Sequence, residues 1–197
     1  MKQIAETILN KIHTIQADRE RIIVAIDGRC GSGKSTLAAL LQESLACDLI
    51  HMDDFYLRPE QRTAQRRIEP GGNVDYERFL AEVLLPLRAG LPFHYRPYDC
   101  SVWDFKEEIS VIPGVVTLVE GSYSCHPTLY RYYDLRIFLT VESEKQNHRI
   151  LLRCGEEKAT QFRERWIPLE ELYFSSVPVA ERCELNFDTS DATHPEL

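Results

Sequence analysis

Residues 28–35, Gly28-Arg29-Cys30-Gly31-Ser32-Gly33-Lys34-Ser35, satisfy the pattern G-x-x-x-x-G-K-[ST] without a mismatch. The chemistry that needs this spacing is the grip on a nucleotide polyphosphate. Glycines let the backbone curl until its N–H groups point inward at phosphate oxygens, and a helix starting at the end of the loop adds its positive N-terminal dipole. Lys34 is the side chain that would reach the β- and γ-phosphates, and the Ser35 hydroxyl is the expected Mg2+ ligand. Gly28, Gly31, Ser32, Gly33, Lys34, Ser35 and Thr36 are therefore the expected ATP-binding set, with Mg2+ as the accompanying ion.

Switches, motors and kinases all use such a grip, so other residues must separate them. An Asn-Lys-x-Asp signature and an Asp-x-x-Gly switch would mark a guanine-specific GTPase. Neither is present, since Asn10-Lys11-Ile12-His13 lacks the acid and falls in a helical stretch. A motor or helper ATPase normally has more chain than this. Transfer to a small-molecule hydroxyl remains, and it needs a carboxylate beside the γ-phosphate to orient or deprotonate the attacking group. Asp53 and Asp54, at the end of a strand-like run over 48–52, are candidates. Lys145, Arg149 and Arg153 recur every four residues and share a helix face. They can hold a triphosphate, or equally form a solvated face paired with Glu142, Glu144, Glu156 and Glu157.

Taken with the loop, Asp53-Asp54-Phe55-Tyr56 resembles the uridine kinase-like family of P-loop kinases, in which an Asp is followed two and three positions later by Phe-Tyr. The likeness runs in order over most of residues 21–188. It implies an α/β, three-layer P-loop kinase fold with a mostly parallel central sheet, helices on both faces, a small inserted substrate-binding arm (within 54–112) and a helical lid (153–168). It assigns the catalytic base to Asp53, ahead of Asp54, acting with Lys34. Asn73-Val74-Asp75 is similar to a family segment whose Asp holds ribose hydroxyls; a helix N-cap is the other reading of Asp75, and the two are not exclusive. Tyr98-Asp99 is similar to a Tyr-Asp step in the family's arm, so the resemblance puts Tyr98, with Tyr56, in the acceptor pocket. Trp103 stands where uridine kinases carry a base-reading His.

Glu120-Gly121 matches a family Glu-Gly whose carboxylate helps hold Mg2+ through its water shell. The Arg-rich lid of the family implicates Arg149 and Arg163 in substrate binding and Arg153 in ATP binding. Trp166-Ile167-Pro168 with Glu171 is similar to the family's Val-Lys-Pro stretch and the Glu beyond it. The function implied is transfer of the γ-phosphate of ATP to the 5′-hydroxyl of a nucleoside. Pantothenate, glycerate or a sugar phosphate is the alternative acceptor, the last favoured by Arg58, Arg62, Arg66 and Arg67 in one segment. An ATP-sensing regulator without turnover is the non-enzymatic alternative. A lone His in a loop, His126 is read as incidental.

Positioning these residues requires strands that end at the site. Residues 21–27, 115–120, 135–141 and 183–188 read as strands, with 48–52 a shorter one, while 3–16, 35–46 and 76–88 carry helical patterns or helix-forming composition. Residues 58–73 read as an exposed polar loop, 92–112 as an inserted pair of strands or loop arm, and 142–154 and 159–166 as two helices. Alternating strands and helices predict a layered α/β sheet.

The composition fits one domain: 197 residues, 44% hydrophobic, with 31 acids against 23 bases. The net charge of −8 repels phosphate backbones, so no nucleic-acid partner is expected. No run approaches the ~20 apolar residues of a membrane helix, and the N-terminus has no signal-peptide pattern. Six dispersed cysteines without C-x-x-C suit a reduced, cytoplasmic setting. The expected partner is a small-molecule hydroxyl acceptor. The opening helix is packing, a dimer contact that would make a homo-oligomer, or a regulatory surface.

Overall fold

Isoleucines at helical spacing give the chain its first element, Lys2–Gln16 (α1), which buries Ala5, Ile8 and Ile12 on one side. The β-branched run that follows, Ile22–Gly28 (β1), is buried at every position. A strand without a wet face needs neighbours on both edges and a layer over each side. The computed structural model, which describes residues 1–192, supplies both. After the phosphate loop come Lys34–Leu45 (α2) and the short strand Asp48–His51 (β2).

Residues 58–73 are less irregular than their polar text suggests: Thr63 caps Ala64–Ile68 (α3) by accepting from the Arg66 amide. Residues 76–89 are helical throughout, as Tyr76–Phe79 (α4), a π-helical turn Leu80–Leu84, and Leu85–Ala89 (α5) ending at Gly90. The arm is one antiparallel hairpin in two stages. Phe93–Tyr95 (β3) pairs with Ile109–Val111 (β6), and nearer the tip Tyr98–Asp99 (β4) pairs with Asp104–Phe105 (β5).

Val116–Glu120 (β7) and Leu135–Thr140 (β8) return to the sheet. The two helices expected over 142–154 and 159–166 are present: Ser143–Gln161 (α6) consists of two helical stretches separated at Gly155, whose φ of 76° and ψ of 170° are not helical, and a π-helical turn at Phe162–Trp166 follows the second. Ile167–Ser176 (α7) was not legible as a helix, because its apolar residues follow no period and Pro168 reads as a stop. A proline in a first turn loses no hydrogen bond, and Pro168 occupies that place. Val179–Arg182 (α8) and Leu185–Asp188 (β9) complete the described chain. Residues 193–197 of the expected 1–197 domain lie outside the described residues.

The central sheet has the order β2-β7-β1-β8-β9, all parallel. Side chains alternate along β1. Ile22, Val24 and Ile26 face α1 and α2, while Ile23 and Ala25 join Phe79, Val83, Leu84 and Leu87 of the 76–89 helix, with Tyr173 from α7. Part of the segment expected as an insertion therefore covers one face of the sheet. Chain order reverses where β7 slots between β1 and β2, so the carboxyl ends of these three strands border one crevice, the position at which open α/β sheets bind ligands.

Candidate active site

The phosphate loop is held open from below. At Gly28 the backbone has φ of 143°, and a Cβ there would lie 2.1 Å from the Leu139 carbonyl oxygen of β8. Gly33, with φ of 87°, turns the chain into α2. The Asp27 carboxylate accepts from the amides of Gly28 (2.6 Å), Tyr123 (3.0 Å) and Cys125 (2.9 Å) and from the Tyr173 hydroxyl (3.1 Å). It thereby ties the loop to the segment after β7 and to α7. Burial pushes its pKa up to about 6 against the pull of these donors and of Lys34.

Above the loop lies a cleft of about 700 Å³. Gly31, Gly33, Lys34, Ser35 and Thr36 line it, whereas Gly28 and Ser32 lie beneath. The Lys34 ammonium rests on the loop's own carbonyls, donating to Gly28 (2.8 Å) and Arg29 (2.9 Å), with the Ser122 hydroxyl at 3.3 Å. These are contacts that a phosphate could replace.

The Ser35 hydroxyl is 3.3 Å from each oxygen of Glu120. A hydroxyl and a carboxylate this close suit a hard cation that keeps several waters, so Ser35 and Glu120 fit Mg2+. Glu120 is also 2.6 Å from His51 Nδ1, a contact fixed by register because His51 and Glu120 are partners across the β2–β7 pair. The carboxylate raises the His51 pKa. His51 was missed in the sequence because no motif includes it; only the strand pairing brings it here.

Asp53 lines the same cleft with its side chain exposed there, and desolvation by the surrounding protein raises its pKa while the Tyr56 hydrogen bond and Lys34 oppose the rise. The Tyr56 hydroxyl donates to Asp53 Oδ1 at 3.0 Å, and the Tyr56 ring lies against Trp166 with centroids 6.4 Å apart. Asp54 does not line the cleft; its backbone carbonyl accepts from Arg78.

Other expected positions lie elsewhere. Asp75 is buried outside the cleft lining, with Oδ1 capping α4 at the Arg78 amide (3.0 Å) and Oδ2 accepting from Gln61 (2.6 Å). The helix-cap reading, which does not exclude the other, is observed. Tyr98 is buried in the arm, edge-on to Phe105, and its hydroxyl has no partner among the described residues. Trp103 does line the cleft, at φ 59°, with the Arg62 guanidinium 4.6 Å over its ring.

The three cations spaced by four divide. Arg149 and Arg153 line the cleft, Arg149 donating to the backbone carbonyls of Gly31, Thr189 and Ser190, which puts it beside the phosphate loop. Lys145 points away to Glu142 and Asp191. Arg163, expected at the substrate, instead pairs with Glu156 and Thr160 outside the lining.

Of the two acids after Pro168, Glu171 pairs with Arg29 at the surface. Glu170 is the buried one, accepting from the Cys30 amide (2.9 Å) and the Ser122 hydroxyl (2.6 Å) at the cleft wall. His126 is buried, stacked on Tyr76 at 4.0 Å, and burial depresses its pKa to about 4. Its place is in the packing.

No protein-family model matches the chain. Among curated proteins it is 27% identical over 147 residues to a uridine kinase of Alkaliphilus metalliredigens, covering 70% of each. It is also 35% identical over 115 residues to a bifunctional pantoate ligase/cytidylate kinase of Gloeobacter violaceus, covering 57% of this chain and 22% of that longer protein. A Bacillus stearothermophilus protein described as a possible uridine kinase superposes with a TM-score of 0.68 at 19% identity, covering 94% of this chain and all of the other. A D-glycerate 3-kinase of Cryptococcus neoformans gives a TM-score of 0.53 at 16% identity over 87% of each chain. The fold is that of the P-loop kinases, and its neighbours include uridine kinase-like ones.

Proposed function

We propose that this chain, built on the P-loop kinase fold, is an ATP-dependent phosphotransferase that passes the γ-phosphoryl group to a hydroxyl of a small molecule. The observation that carries this reading is the convergence of Lys34, the Ser35–Glu120 pair and Asp53 on one cleft. Loop amides and Lys34 bind the phosphates. Ser35 and Glu120 would hold Mg2+, which when bound would supply charge neutralisation on the phosphoryl oxygens. Asp53, kept in place by Tyr56, takes the proton from the acceptor hydroxyl. Arg149 and Arg153 cover the polyphosphate from α6. No helix among the described residues is long and apolar enough to cross a membrane.

For the acceptor, the resemblance points to a nucleoside 5′-hydroxyl, while the geometry favours a different small alcohol. Each Asp75 oxygen already accepts a hydrogen bond within the fold and the residue lies outside the cleft lining, Tyr98 is turned into the arm, and Trp103 replaces the base-reading His. ADP release from purified protein with Mg2+ and ATP, with and without a panel of nucleosides, pantothenate, glycerate and sugar phosphates, tests the reading. Acceptor-dependent release that is lost in Asp53→Asn supports it. ATP binding without release under any acceptor would leave the sensor alternative.

A further inference from the structure

Two arginines on the acceptor side of the cleft have no carboxylate partner among the described residues. Arg62 lies over Trp103, 4.6 Å from the ring centroid, and Arg165 over Trp166, 4.4 Å from its centroid. Both pairs line the cleft, one reached from the arm side and the other from the lid. Arg66, Arg58 and Arg163 are neutralised, by Glu69 and Glu77, by Glu60 and by Glu156, whereas Arg149 and Arg153, which line the same cleft, likewise have no carboxylate partner among the described residues. Of the four arginines clustered at 58–67, only Arg62 reaches the cleft.

Stacking on an indole orients a guanidinium without cancelling its charge, and it leaves in-plane N–H groups that are not otherwise bonded available to a ligand. Arg62 spends Nε and one terminal nitrogen on the Leu57 carbonyl and the Cys100 sulfur, which fixes the fork while its other terminal nitrogen stays free. Asn73, Ser101, Tyr56 and Gln161, which also line the cleft, are neutral, and Asp53, bonded to Tyr56 beside Trp166, is the carboxylate nearest these pairs in the contact pattern. A neutral polyol is well held by carboxylates that accept its hydroxyl protons. Here Asp75 is engaged elsewhere and Asp53 is the proposed base. A wall rich in donors suits a ligand group that only accepts. Five cationic side chains against three carboxylates line the cleft of a chain whose net charge is −8.

We infer that the alcohol phosphorylated here carries an oxyanion, a phosphate or a carboxylate, remote from its reacting hydroxyl, held between Arg62 and Arg165. This inference rests on the phosphotransferase reading and narrows its substrate class.

Acceptors compared in pairs test it: ribose against ribose 5-phosphate, panthenol against pantothenate, uridine against uridine 3′-phosphate, and glycerol against glycerate and glycerol 3-phosphate. The last set separates carboxylate from phosphate. The expected result is at least a tenfold higher kcat/KM for an anionic member. Arg62→Gln should raise the KM for that acceptor about tenfold or more, while the KM for ATP moves far less. A neutral member used as well as its charged counterpart, or Arg62→Gln weakening both alike, overturns the inference and leaves the kinase reading intact.

If no panel member is turned over, binding decides. Trp103 and Trp166 are the chain's only two tryptophans, so intrinsic fluorescence reports this wall directly. With the loop filled by Mg2+ and a non-hydrolysable ATP analogue, inorganic phosphate should change the emission saturably in wild type and not in Arg62→Gln or Arg165→Gln of unchanged far-UV circular dichroism. No change in wild type overturns the inference. Failure to bind the ATP analogue overturns the phosphotransferase reading, and the inference with it.

Discussion

Replacing Asp27 by Asn tests how far burial outweighs hydrogen bonding beneath the phosphate loop. The carboxylate is fully buried and its pKa rises from 3.8 to about 6, although three amides and the Tyr173 hydroxyl all donate to it. A rise of about two pH units corresponds to ~3 kcal/mol. The sign follows from proton binding. Between pH 3.8 and about 6 the folded chain holds this proton more tightly than the unfolded chain. The stabilising contribution is thus fully present below the unfolded value and is lost as pH rises through about 6. The carboxamide of the Asp27→Asn variant does not titrate. Its N–H2 group would face donors, which adds a roughly pH-independent cost of ~1–3 kcal/mol. The stability of Asp27→Asn minus that of wild type should therefore climb by ~3 kcal/mol from pH 4 to pH 7. Urea unfolding of both proteins at half-unit pH steps, without nucleotide and with the m-value checked for constancy, measures this difference. A difference that is flat within ~1 kcal/mol, or that falls, would show that the converging donors and Lys34 outweigh desolvation.

Asp53→Asn should lower kcat by ~10²–10⁴ with little change in ATP affinity. Because desolvation raises the Asp53 pKa, the acid limb of wild-type kcat/KM should lie above that of an ordinary aspartate and be missing from the residual activity of the variant. Gly28→Ala drives a Cβ to within 2.1 Å of the Leu139 carbonyl oxygen at φ 143°, and a loss of at least ~3 kcal/mol is expected in chemical unfolding. At Gly155 an added Cβ meets nothing within 4 Å, so only the backbone cost of φ 76°, ψ 170° applies. Gly155→Ala should cost ~1–3 kcal/mol unless the break in α6 relaxes. Hydrogen exchange confined to residues 150–162 would report that relaxation, and an unaltered exchange pattern with unaltered stability would contradict the strain at this position.

The phosphate loop was legible because its chemistry is local: eight consecutive residues, a buried strand before them and a helix after them define the grip, and the structure has all three. The same holds for the five sheet strands, whose apolar runs appear within one or two residues of their observed limits. Lys34, Ser35, Asp53 and Glu120 could be named from loop and strand ends, since a parallel sheet delivers its carboxyl ends to one crevice. What the sequence could not decide was which neighbours each polar side chain meets. Asp75 reads equally as a ribose ligand or a helix cap, and Gln61, fourteen residues away, supplies the second bond that keeps it in the cap. Three cations spaced by four look equivalent on a helical wheel; the turn at Thr189 and Ser190 draws Arg149 inward, while Glu142 and Asp191 hold Lys145 outside. Glu170 and Glu171 are adjacent in the chain, yet one lies against the loop and the other at the surface. Asp27, His51 and Arg62 acquire their long-range partners, Tyr123, Cys125 and Tyr173, Glu120, and Trp103 and Cys100, through strand register and the folding back of the arm and α7. Spacing along the chain fixes what one element can do; the partners that set charge, burial and hydrogen bonding at the site come from elements far apart in sequence, and only the tertiary structure brings them within reach.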